Sequence, residues 1–197
     1  MIKKVLIALT FISFLFASNY KVYSVKEYIR AFNLLSLSQQ KLLYEVFKKG
    51  ETVNLQYTLT AIAWKESIAG LAKIDMWDGD GGSCGIFHYR LKSVFGRHKE
   101  WRWTRVNANM ICTRLIENLD FAFAEAVAEI RCWQKIRGEN NWMQIWASYN
   151  AGTHYKSAQA KAYAANINNM IKAIKCVVAD KWKNSVEFVK IKKRIEK

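Results

Sequence analysis

The sequence predicts a mostly α-helical fold, and three observations carry that prediction. Apolar residues recur at the three-to-four-residue spacing of one helix face along most of the chain. Proline is absent from all 197 residues, so no helix is forced to break. No alternating apolar–polar stretch stands out, residues 20–25 being the nearest and short.

Taken in order, residues 25–35 form a first amphipathic stretch. Ser38 caps the next helix, with Leu42, Leu43, Val46 and Phe47 apolar and Gly50 closing it. Asn54 caps a third, which runs to about Ala69 with Gly70 as its C-terminal glycine. Residues 75–85 hold four glycines and three aspartates and read as a loop. A less regular stretch with Trp101 and Trp103 continues to about Arg105, and helices resume near Asn107. Leu115, Leu119, Phe123, Ala126, Ile130 and Trp133 keep helical spacing. Asn141 caps a helix with Trp142, Ile145, Trp146 and Tyr149 on one face, ended by Gly152. A last long helix carries Tyr163, Ile167, Met170, Ile171, Ile174, Val177 and Val178.

The ends of the chain differ in kind from its middle. Lys3 and Lys4 precede an apolar run over residues 5–16, and Ala17 and Ser18 are small residues suited to cleavage. The run is too short for a stable membrane anchor, so residues 1–18 are expected to be a cleaved signal peptide and the product to be periplasmic or secreted. A domain over residues 19–180 and a basic tail over residues 181–197 follow. The formal net charge of +15 calls for an acidic partner: nucleic acid, an anionic membrane or an anionic cell wall. Export argues against nucleic acid. The basic tail suits peripheral contact with wall or membrane.

Export also bears on the cysteines Cys84, Cys112, Cys132 and Cys176, an even set that suggests two disulfides. On one unbroken helix Cys112 and Cys132 would lie about 30 Å apart. The favoured pairing is therefore Cys84–Cys112 with Cys132–Cys176, against the alternative of free buried thiols.

Three segments can carry chemistry. Leu59, Ile62, Ala63 and Glu66 fall at i, i+3, i+4 and i+7, so Glu66 follows an apolar helix face. Desolvation there favours a carboxyl that keeps its proton near neutral pH and can give it to a leaving oxygen. The bland alternative is a Glu at a helix end facing solvent or a Lys. Next, Gly85-Ile86-Phe87-His88 follows a glycine-rich loop that lets backbone approach a ligand, with Phe87, His88 and Tyr89 offering faces and donors. Finally, Ser148-Tyr149-Asn150-Ala151-Gly152 places polar groups at a helix end, where a simple cap would use the same residues.

Together the three segments resemble the Slt-type lytic transglycosylases, relatives of goose-type lysozyme. Glu66-Ser67 matches that family's Glu-Ser pair, Gly85-Ile86-Phe87-His88 stands at its Gly-Leu-Met-Gln loop, and Ser148-Tyr149-Asn150-Ala151-Gly152 matches its Ala-Tyr-Asn-Ala-Gly segment. Asn118-Leu119 corresponds to an Asn-Ile helix start. The resemblance spans residues 37–174 and implies a single lysozyme-like domain, monomeric and without a cofactor. It implies that Glu66 is the sole acid and base cutting the β-1,4 bond between N-acetylmuramic acid and N-acetylglucosamine in peptidoglycan. It implies further that Ser67, Tyr149 and Asn150 position the sugar or reacting group, and that Gly85, Phe87 and His88 line the glycan groove. Phe87 and His88 depart from the family's usual Met and Gln. The expected product is a 1,6-anhydro sugar. If Asp75, Asp78 or Asp80 activates water, the enzyme is instead a hydrolytic muramidase; a non-catalytic wall-binding protein is the third reading.

Other signals are weaker. Asp78-Gly79-Asp80-Gly81 lacks the further ligands of a calcium loop. His88, His98 and His154 have no metal-binding spacing, and His98 and His154 read as surface or structural residues. Among the tryptophans, Trp64, Trp101, Trp103 and Trp146 are the ones placed to reach a groove.

Overall fold

The computed structural model describes residues 21–75, 82–178 and Trp182. The expected signal peptide, Asp78, Asp80 and the basic tail apart from Trp182 lie outside these. The fold is mostly α, with eight α-helices among the described residues: α1 Val25–Leu34, α2 Leu37–Glu51, α3 Gln56–Ser67, α4 Leu91–Arg97, α5 Arg105–Glu117, α6 Leu119–Arg137, α7 Trp142–Ala151 and α8 Ala158–Ala173. A 3-10 turn, Gly152–His154, follows α7, and a π-helical turn, Ile174–Val178, follows α8. Three two-residue strands form an antiparallel sheet: β1 Ile74–Asp75, β2 Ser83–Cys84 and β3 Tyr89–Arg90. Ile74 pairs with Cys84, and Cys84 with Tyr89. Strands this short show no alternation, which is why residues 75–85 read as loop alone. Residues 21–24 form no strand.

The described residues pack as two compact units: those up to Tyr44 with those from Ile130 on, and those between Glu45 and Glu129. The first unit is built around α8. Ala160, Tyr163, Ala164, Ile167, Met170 and Ile171 recur at helical spacing and are buried against α1 and α7. Ser24 starts α1 with a reciprocal capping box: its Oγ accepts from the Glu27 amide, and the Glu27 carboxylate accepts from the Ser24 amide. Phe32 and Tyr44 each pack against the Trp182 ring in a T-shaped arrangement.

Asn166 of α8 ties down the start of the described chain. Its Oδ1 accepts from the Tyr23 amide at 2.9 Å and from the Tyr28 hydroxyl at 2.7 Å. Its Nδ2 donates to the Lys21 carbonyl at 2.8 Å. Burial pushes the Tyr28 phenol well above its ordinary pKa, so it meets Asn166 as a neutral donor. Asn166→Ala leaves a buried amide and hydroxyl without their acceptor. It is expected to cost about 2–4 kcal/mol, read as a lower urea midpoint at unchanged slope.

Several helix boundaries correct the sequence reading. The cap of α2 is Ser36, whose Oγ accepts from the Gln39 amide while Gln39 accepts from the Ser36 amide; Ser38 lies inside the first turn. Gly50 does not close α2 from outside but sits within it. A Cβ there would fall 2.4 Å from the Gln56 Cα, so only glycine lets α3 start so near. Asn54 takes a left-handed backbone, φ 58°, one residue before the N-cap position, which Leu55 holds. Helix α3 ends at Ser67, not near Ala69. It is also buried nearly all round, Thr58 through Trp64 and Ser67 included, rather than on one face.

Candidate functional site

The second unit holds Glu66, Ser67, Gly85, Phe87 and His88. Glu66 lies on the last turn of α3, with its side chain 18% exposed. The chain leaves this helix in an unusual conformation: Ile68, Ala69 and Gly70 all take left-handed backbones, with φ of 53°, 56° and 83°. A β-branched residue at positive φ is strained, and such strain concentrates at functional sites. Ser67 holds the turn together. Its hydroxyl donates to the Ala63 carbonyl at 2.9 Å and accepts from the Gly70 amide at 2.8 Å. With both roles filled by backbone and the residue fully buried, Ser67 fixes the helix end that carries Glu66 and does not face a ligand.

The chain then turns through β1 and returns in β2 and the turn after it. Gly85 is fixed by two contacts. Its amide donates to the Lys73 carbonyl at 2.8 Å, and a Cβ on it would fall 2.6 Å from the Leu115 carbonyl oxygen of α5, at φ 81°. A disulfide between Cys84 and Cys112, Cα atoms 5.3 Å apart, locks β2 to the same helix. His88 is thereby brought back to α3. Its backbone is left-handed at φ 46° and its side chain is 14% exposed.

The His88 ring sits between two oxygens. Nε2 lies 2.7 Å from the Ala72 carbonyl, which can only accept, so Nε2 carries a hydrogen. Nδ1 lies 3.8 Å from Glu66 Oε2. In the neutral ring Nδ1 is therefore the lone pair and faces the carboxyl; protonated, it forms an ion pair with the carboxylate. Beside them, burial pushes the Lys65 ammonium below its ordinary pKa, against the opposing pull of the Glu66 charge. The pair is half-buried, and the contact to the Ala72 carbonyl sets the ring so that Nδ1 faces Glu66.

Phe87 corrects the sequence reading: it is fully buried and belongs to the core, where it cannot touch a sugar. Cys84 to Phe87 are buried in succession, and the chain reaches partial exposure only at His88. Gly85 is likewise buried, and its part is packing against α5. Tyr149 and Asn150 lie on the last turn of α7 in the first unit, both half-buried. Trp64 and Trp146 are buried, Trp101 stacks on His98, and Trp103 is exposed. Asp75 stands in β1.

The cysteine expectation divides. Cys84–Cys112 forms as expected. Cys132–Cys176 does not: both thiols are free and exposed, Cys132 on α6 and Cys176 in the π-helical turn after α8.

Sequence reasoning missed a buried charged group in the same unit. Glu125 of α6 is buried and accepts from Arg97 Nε at 2.9 Å and Nη2 at 2.7 Å, with His98 Nε2 2.6 Å from its other oxygen. Arg97 also reaches Glu129 and lies over the Tyr89 ring of β3. Burial opposes the guanidinium charge, but the Glu125 and Glu129 carboxylates outweigh it and hold the Arg97 pKa raised. The Arg97–Glu125 pair ties α4 to α6, and His98 is structural. His154 is exposed. Among the described residues no group of three or more His, Cys, Asp or Glu side chains could hold a metal ion. No family model, curated protein or solved structure matches this chain.

Proposed function

We propose that this protein is an exported, lysozyme-like lytic transglycosylase that cleaves the glycan strands of peptidoglycan, with Glu66 as its single acid and base. The observation that supports this reading is the Glu66–His88 pair: a half-buried carboxyl on a strained helix end, faced at 3.8 Å by a ring whose other nitrogen is committed to the Ala72 carbonyl. The protonated Glu66 gives its proton to the glycosidic oxygen, and the bond to the muramic acid C1 breaks. The Glu66 carboxylate then takes the proton of the muramic acid 6-hydroxyl as that oxygen closes on C1. The proton lost in the first step is recovered in the second, and no water is consumed. A second carboxylate is not required. Tyr149 and Asn150 are assigned to orienting the glycan, on the motif alone.

His88 is a positioning residue in this scheme. It sets the side of the carboxyl that faces the ring and steadies the charge that Glu66 carries between the two proton transfers. His88→Ala is expected to lower kcat about tenfold with little change in KM. His88→Gln, which can still bond to the Ala72 carbonyl, recovers part of the loss. Equal kcat in all three proteins would remove His88 from the mechanism.

The test of the function is incubation of the processed protein with purified peptidoglycan sacculi. Release of soluble muropeptides supports it. Sacculi that bind the protein and stay intact make it a wall-binding module instead.

A further inference from the structure

Helix α5 begins with an apolar surface that no described residue covers. Trp103 is 45% exposed, Val106 75% and Met110 59%. Val106 and Met110 are one helical turn apart on the same face, and Trp103 immediately precedes the N-cap Thr104. The Trp103 ring is held in place from behind: its centroid lies 4.7 Å from that of the buried Phe95, at an interplanar angle of 67°. An exposed Trp so fixed loses little conformational freedom on binding.

The charges gathered at the Trp103 end of this surface are mostly positive. Lys99, Arg102 and Arg105 are all exposed beside it. The acid among them, Glu100, is engaged by His98 at 3.2 Å. The acids Glu117 and Asp120 lie at the other end, where they line a cavity with Met110 and Arg114. The whole chain carries +15. Exposed aliphatic side chains offer no hydrogen bonds to read sugar hydroxyls, so a glycan strand does not account for Val106 and Met110. An apolar strip with a Trp at its edge and cations beside that edge matches the interface of an anionic lipid bilayer: the apolar side chains enter the acyl boundary, the indole sits at headgroup level, and the cations meet lipid phosphates.

We propose that the surface formed by Trp103, Val106 and Met110, flanked at its Trp103 end by Lys99, Arg102 and Arg105, docks this protein onto an anionic membrane. It is separate from any contact made by the basic tail and does not depend on what Glu66 does.

Sedimentation of the processed protein with vesicles tests it, comparing phosphatidylcholine alone with phosphatidylcholine mixed with phosphatidylglycerol. Two variants probe the surface independently, Trp103→Ala with Met110→Gln, and Arg102→Glu with Arg105→Glu. All four positions are exposed, and thermal melting checks that the fold is kept. The expected result is binding to the phosphatidylglycerol vesicles that falls roughly tenfold in each variant, with only the charge variant flattening the salt dependence. Unchanged binding in both variants would overturn the proposal. So would loss in the charge variant alone, which marks a simple polyanion patch, or equal binding to both vesicle types. Loss of sedimentation with sacculi but not with vesicles would assign the surface to the wall.

Discussion

Glu66→Gln is expected to abolish glycan cleavage, lowering kcat by about a thousandfold or more. The substitution keeps shape and polarity and removes the transferable proton. The side chain is half-buried at a helix end, and Gln keeps the helix while removing the charge that faces Lys65 and His88. The melting temperature and binding to sacculi are expected to stay near wild type, so the loss falls on kcat. No other carboxyl is named in the scheme to replace it, which makes the expectation sharp. A Glu66→Gln protein that keeps more than about a tenth of the rate would place the acid elsewhere, since general acid catalysis contributes at least about a hundredfold.

The second large effect concerns the Cys84–Cys112 bridge. Cys84 and Cys112 are 28 residues apart, and opening a loop of that size is expected to cost about 3–4 kcal/mol. For a chain this long that lowers Tm by about 10 °C. Both cysteines are buried, so a Cys84→Ser, Cys112→Ser protein also gains two hydroxyls in apolar surroundings. Because β2 leads directly into Gly85 and His88, activity is expected to fall before global unfolding, as the ring facing Glu66 loses its anchor. Cys132→Ser and Cys176→Ser serve as controls. Both thiols are exposed and free, and neither change is expected to move the melting curve. A double serine variant that melts within about 2 °C of wild type would show that the bridge is not a structural tie.

What could be read from sequence came from periodicity. The helical class and the course of α1, α5, α6, α7 and α8 lie in the spacing of apolar residues, and Gly152 ends α7 as expected. Asn118 accepts from the Phe121 amide at the start of α6, where the motif placed a helix start. Capping was harder, because Ser36 and Ser38 are both good caps; only the partner three residues on, Gln39, separates them. The left-handed run at Ile68 and Ala69 was invisible. Neither residue favours that backbone, and it persists because Ser67 and the packing of α3 impose it. Period alone could not tell Phe87 from His88 either. Both come after a glycine turn, and the choice of inward residue is made by the register of Cys84 with Tyr89 and by the bridge to Cys112. The Arg97–Glu125–His98 group joins residues 28 and 27 positions apart, a distance at which no local pattern operates. Within the candidate site, the position of Glu66 was legible and its partner's orientation was not.

Whether Glu66 acts alone as both acid and base is read from the mass spectrum of muropeptides released from purified sacculi, recorded before and after borohydride reduction. Transfer of the 6-hydroxyl to C1 leaves a 1,6-anhydro end that borohydride cannot reduce, so the single-residue mechanism predicts product masses that do not change on treatment. Products that each gain two hydrogens would carry a free reducing end. Water, activated by a second group, would then have opened the bond, contradicting that mechanism.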